Sequence, residues 1–103
     1  MIRHTVVFRL KAQRLSNEER EFFKAAEGLG AIPGVANLSF FNQVNDKSPF
    51  DFCLSMEFAS NADYQRYNEH PDHKKFVEDR WVVEVESFME LDYQPIVAKF
   101  QPV

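Results

Sequence analysis

Residues 2–11, IRHTVVFRLK, decide the architecture. Ile2, His4, Val6, Phe8 and Leu10 fall on one side of an extended chain, and Arg3, Thr5, Val7, Arg9 and Lys11 on the other. Successive side chains of a strand point to opposite faces, so this alternation predicts a β-strand with one buried face. Position 4 places an imidazole on the apolar side, in phase with Val6 and Phe8. Ser16 with Glu19 forms a capping-box pattern, after which Phe22, Phe23, Ala26 and Leu29 recur at helical spacing. Gly28 and Gly30 end that helix and Pro33-Gly34 turns the chain.

Further out, 35–44 (VANLSFFNQV) and 52–59 (FCLSMEFA) read as two strands joined by the polar loop 45–49. Ser60 with Asp63 caps a short helix over 61–69, which stops at His70 because Pro71 disfavours a helical residue before it. Pro71 then opens a third helix whose apolar face carries His73, Phe76, Val77 and Trp81, and a last strand covers about 85–93. The order β-α-β-β-α-α-β predicts one α+β domain over residues 1–103, a ferredoxin-like antiparallel sheet with helices on one face. The other face is expected to hold Val7, Phe41, Cys53 and Phe88, too apolar to stay bare, so a second copy of the chain should cover it.

Composition narrows the function classes. Eleven of 103 residues are Phe, more than so small a core readily hides, which points to a pocket or an interface. The net charge is −4 with scattered Lys and Arg, so nucleic acid is not an expected partner. One cysteine, Cys53, permits no internal disulfide and suits a reducing compartment. The first ten residues alternate and carry Arg3 and His4, unlike a signal peptide, and no apolar run reaches the about 18 residues of a membrane span. A cytoplasmic protein is expected. Phosphate loops, CxxC pairs and serine elbows are absent, and His70 and His73 have no evident third metal ligand, so neither metal nor cofactor is expected.

His4 and His73 are the candidate reactive groups. Each has a plainer alternative, a core histidine satisfied by a carbonyl or a tyrosine. The packing of the third helix on the sheet would bring the two faces together, with Tyr64 and Tyr67 closing the group. An imidazole near its ordinary pKa of about 6.5 exchanges protons at neutral pH. No carboxylate is placed by spacing to orient either ring. The expected pocket is bounded by Phe52, Tyr64, Tyr67, Phe76 and Trp81.

Three segments together resemble the Dabb family of dimeric, stress-responsive α/β-barrel domains: MIRHTVVFRL at 1–10, IPGV at 32–35 and YNEHPDHKKF at 67–76, with its His-Pro-x-His step. The resemblance runs from end to end. It implies a homodimer whose two sheets form a barrel, with a pocket between each sheet and its helices. Members range from plant stress-responsive proteins to a polyketide cyclase that closes a linear tetraketide by aldol condensation. Three residues that line that cyclase's site correspond to His4, Tyr67 and His73, and a fourth, a histidine, falls on Phe52. Because Phe52 handles no proton, the leading expectation is a dimer that binds a small apolar or aromatic ligand. The alternative is a cofactor-independent lyase or cyclase with His73 or His4 as acid–base group and Tyr67 as hydrogen-bond donor. A cofactor-free oxygenase, as on related barrels, is a third class with no sequence feature of its own.

Overall fold

The computed structural model describes residues 1–96. Its elements are β1 (Ile2–Leu10), α1 (Asn17–Glu27), β2 (Ala36–Asn42), β3 (Phe52–Phe58), α2 (Asn61–Glu69), α3 (Pro71–Phe76) and β4 (Val85–Tyr93). A 3-10 turn, Gly28–Ala31, extends α1, and α3 runs on through a π-helical stretch, Val77–Trp81, and one last turn, Val82–Glu84. The strands form one antiparallel sheet in the order β2-β3-β1-β4. All four strands and all three helices expected from the sequence are present, and the strand order is that of a split βαβ unit.

Local chemistry explains the boundaries. The Ser16 hydroxyl accepts the Glu19 N–H at 3.2 Å, and the Ser60 hydroxyl accepts the Asp63 N–H at 3.2 Å. Each satisfies an amide that the first helical turn leaves without a partner. Only half of the capping box forms at α1, because the Glu19 carboxylate turns to the Leu15 N–H and to Arg14. His70 caps α3, its Nδ1 accepting the Asp72 N–H at 3.1 Å, with Pro71 in the first turn.

The core lies between the inner sheet face and the helices. Phe8, Phe22, Phe58 and Met56 are completely buried. The rings of Phe22 and Trp81 stand 5.8 and 5.0 Å from that of Phe8. These are tilted contacts of the kind aromatic pairs prefer.

One strand departs from the sequence reading. Phe88 was expected on the outer face, but it pairs with Phe8 and points toward the helices. The cause is a β-bulge: Leu10 pairs with Val85 and Arg9 with Ser87, so Glu86 is the extra residue on β4. Val85 faces the core, and one extra residue inverts the side-chain phase beyond it. Phe88, Glu90 and Asp92 therefore share the helix side with Phe8, Val6 and His4. Met89, Leu91 and Tyr93 take the outer face, where Val7 pairs with Met89 and with Cys53, and Cys53 with Phe41. Phe41, Met89, Leu91 and Tyr93 are 55, 50, 38 and 52% exposed, so the apolar outer face is larger than expected. Burial pushes the Cys53 thiol pKa up, which keeps it protonated on that face.

Candidate functional site

Between the inner face of β1 and β4, α2 and the helical run after Pro71 lies a cavity of about 280 Å³. His4, Tyr67, His73, Phe76 and Trp81 all line it, together with Val6, Leu54, Phe88 and Glu90. The π-helical stretch helps to form this wall. In a regular α-helix Trp81, five residues after Phe76, would sit about 140° around the axis. The wider π turn closes that angle, and the two rings stand 6.5 Å apart on one side.

His4 is 4% exposed and is held from behind. Its register partner on β4 is Asp92, whose Oδ1 lies 2.6 Å from Nδ1. The Tyr64 hydroxyl lies 2.9 Å from Asp92 Oδ2 and 2.8 Å from His4 Nδ1. A carboxylate only accepts, so Nδ1–H and the Tyr64 O–H both donate to Asp92, one to each oxygen. That places a proton on Nδ1 and commits it to Asp92, leaving Nε2 outside that network. Burial and the hydrogen bond to Asp92 raise the pKa of the Tyr64 phenol, so it stays a donor.

His73 reaches the cavity from α3. Its Nδ1 lies 3.1 Å from the Asn68 carbonyl, an acceptor, so Nδ1 carries the proton and Nε2 is left with a lone pair. Burial lowers its pKa, so the neutral ring prevails at neutral pH. The Tyr67 ring stands between the two imidazoles, 4.4 Å from His73 and 6.3 Å from His4. Burial first and Glu90 second raise the Tyr67 pKa, which keeps its hydroxyl protonated. The cavity thus presents two imidazoles, a phenol and the Glu90 carboxylate within an apolar wall, a set able to take up and return a proton.

Two expected wall residues lie elsewhere. Phe52 pairs with Phe8, whereas His4 pairs with Met56, four residues further along β3. Strand geometry separates those positions by about 13 Å. Phe52 packs 4.9 Å from Phe23 beneath the Arg14 guanidinium and lines a different groove, between α1 and β2. Tyr64 stands behind His4 in the groove that holds Asp92 and Tyr93. Sequence reasoning missed Asp92 and Glu90. Their spacing with Phe88 in VESFMELDY is that of one strand face, but which face depends on the bulge at Glu86. Among the described residues no three His, Cys, Asp or Glu side chains converge as a metal site. His70 caps α3 while His73 turns to the cavity.

A split βαβ sheet with a cavity beneath its helices defines a ferredoxin-like α+β protein with a polar-tipped apolar site. The model of the stress responsive A/B barrel (Dabb) domain matches residues 2–95, and the chain belongs to that family. Among solved structures it is similar to a Dabb family protein with a ferredoxin-like fold from Mesorhizobium loti. The two are 52% identical over 93% of this chain and 97% of that one, with a TM-score of 0.92. A hydroxynitrile lyase from Passiflora edulis is 20% identical, with 98% of this chain and 96% of that one covered and a TM-score of 0.79. A dimeric ferredoxin-like protein of unknown function from Thermobifida fusca is 20% identical, with 89 and 88% covered and a TM-score of 0.73. At those identities the last two show the fold alone. No curated protein matches the chain.

Proposed function

We propose that the protein binds a small, largely apolar aromatic molecule in the cavity between His4 and His73. The observation that carries this is the cavity itself, walled by Val6, Leu54, Phe76, Trp81 and Phe88 with a few polar groups, among them Tyr67, the two imidazoles and Glu90. Apolar walls with a few convergent polar anchors are the usual make-up of a small-molecule site. Titration calorimetry with small uncharged aromatics tests the reading. Binding that is lost in Trp81→Ala and His73→Ala but kept in Phe40→Ala, in the groove of Phe52, is the expected result. Binding indifferent to Trp81 and His73 would refute it.

A second reading, acid–base chemistry on that ligand, is favoured by the Asp92–His4 pair. A buried imidazole held in one tautomer by a carboxylate, with Nε2 outside that pair, is the arrangement a general base needs. Tyr67 would donate to an oxygen that gains charge as the proton leaves. Phe52 lines a different groove and is given no part in this proposal. Turnover of a linear polyketide or another carbon acid, abolished in His4→Ala, would make this the leading reading.

The apolar outer face supports a homodimer of facing sheets, closing the barrel. Phe41, Met89, Leu91 and Tyr93 are large, exposed and contiguous through Val7 and Cys53. The Thermobifida fusca neighbour is described as dimeric.

A further inference from the structure

Glu90 faces Val6 across the β1–β4 ladder and stands exposed at the rim of the cavity. Among the described residues no Lys or Arg lines the cavity with it. The two imidazoles have already committed their Nδ1 protons, to Asp92 and to the Asn68 carbonyl, and the neutral His73 ring keeps a lone pair on Nε2. Asp92 adds a second carboxylate directly behind His4. The charged side chain that lines the cavity is thus a carboxylate, and the nearest cation, Lys74 beside His73, lies outside the lining. A ligand carboxylate would meet the Glu90 carboxylate with no cationic side chain in the lining to offset it. A hydroxyl, by contrast, supplies the proton that an Nε2 lone pair or the Glu90 carboxylate lacks.

We propose that Glu90 is a specificity-determining residue that bars anions from the cavity, so that its ligand class is uncharged aromatics bearing a hydroxyl donor. The proposal rests on the cavity being the ligand site. It does not follow from that reading, because an apolar cavity with a lysine at the same rim position would favour carboxylates.

Benzyl alcohol and benzoate, alike in size and differing in charge, are the probes, titrated at pH 7.5 into the native protein and into Glu90→Gln. Native protein is expected to bind benzyl alcohol at least about tenfold more tightly than benzoate. Glu90→Gln should narrow the ratio several-fold by improving benzoate while leaving benzyl alcohol nearly unchanged. Glu90 is exposed, so the variant should fold, and its unfolding temperature checks that it does. Equal binding of the two probes, or a ratio unmoved in Glu90→Gln, overturns the charge filter alone and leaves the cavity as a binding site. Failure of both probes to bind native protein overturns the filter together with the reading beneath it.

Discussion

Asp92 and His4 sit side by side because cross-strand partners on one sheet face are close neighbours. What that pair does to the imidazole is directly measurable. Asp92→Asn exchanges a pure acceptor for a group that can also donate, so the preference for a proton on Nδ1 should weaken. Nitrogen chemical shifts of the His4 ring are expected to show one tautomer in the native protein and a mixture in the variant. If a carbon-acid substrate is found, the same variant should lose about 10²–10⁴ in turnover, the range for misplacing a general base. An unchanged spectrum would show that Asp92 does not set the tautomer. His73 offers a test through pH. Its folded pKa is depressed by burial, so as pH falls through about 6.5 the unfolded chain takes a proton before the folded one does. Stability is therefore complete above that pH and declines below it, until the folded ring also protonates. Around it stand Tyr67, His4, Lys74 and Glu90, and the hydrogen bond to the Asn68 carbonyl and then Glu90 oppose the shift. His73→Gln should flatten that part of the unfolding temperature's fall between about pH 7 and 5. A slope as steep as the native one would assign the acid loss to other groups.

Single elements are held by caps and by one tight turn. Ser16→Ala removes the acceptor for the Glu19 N–H and is expected to cost about 1 kcal/mol in denaturant unfolding. Gly34 is more demanding, with a φ of +93° and Asp63 Cβ only 3.3 Å from where a side chain would start. Gly34→Ala should cost about 1–2 kcal/mol, because an L side chain is strained in that region and the α2 side would have to move. A loss no greater than that of Ser16→Ala would show that the turn relaxes at little cost. The capping serines were legible from spacing alone, since the amide they satisfy lies three residues away. The Glu86 bulge was not, since it exists only as a mismatch between β4 and its partner β1. That mismatch hid Glu90 and Asp92, and it also misassigned Phe88 to the outer face.

At the scale of the molecule the outer sheet face presents Phe41, Met89, Leu91 and Tyr93, a surface that calls for a cover. Leu91→Asp or Phe41→Asp places a charge on the exposed apolar face, on one edge strand or the other, and either should shift the protein toward its 12.1 kDa monomer in sedimentation at micromolar concentration. Lys24→Glu, exposed on α1 across the sheet, should leave the mass unchanged. A native mass near that of the monomer, or the same behaviour in all three variants, would rule out association through this face. Among the described residues no helix is long and apolar enough to cross a membrane.

The sequence determined the elements and the inner face of β1, because strand and helix periods, caps and turns are properties of neighbouring residues. It also singled out His4, Tyr67 and His73, which share a cavity because each lies on the apolar side of its own element. Tertiary structure alone decided the rest. Phe52 shares the inner face with His4, yet antiparallel pairing sets it at the far end of β1, a separation that face alternation does not reveal. The carboxylate that holds His4 is 88 residues away in the chain, and only the β1–β4 register, shifted by one bulged residue, brings it to the ring.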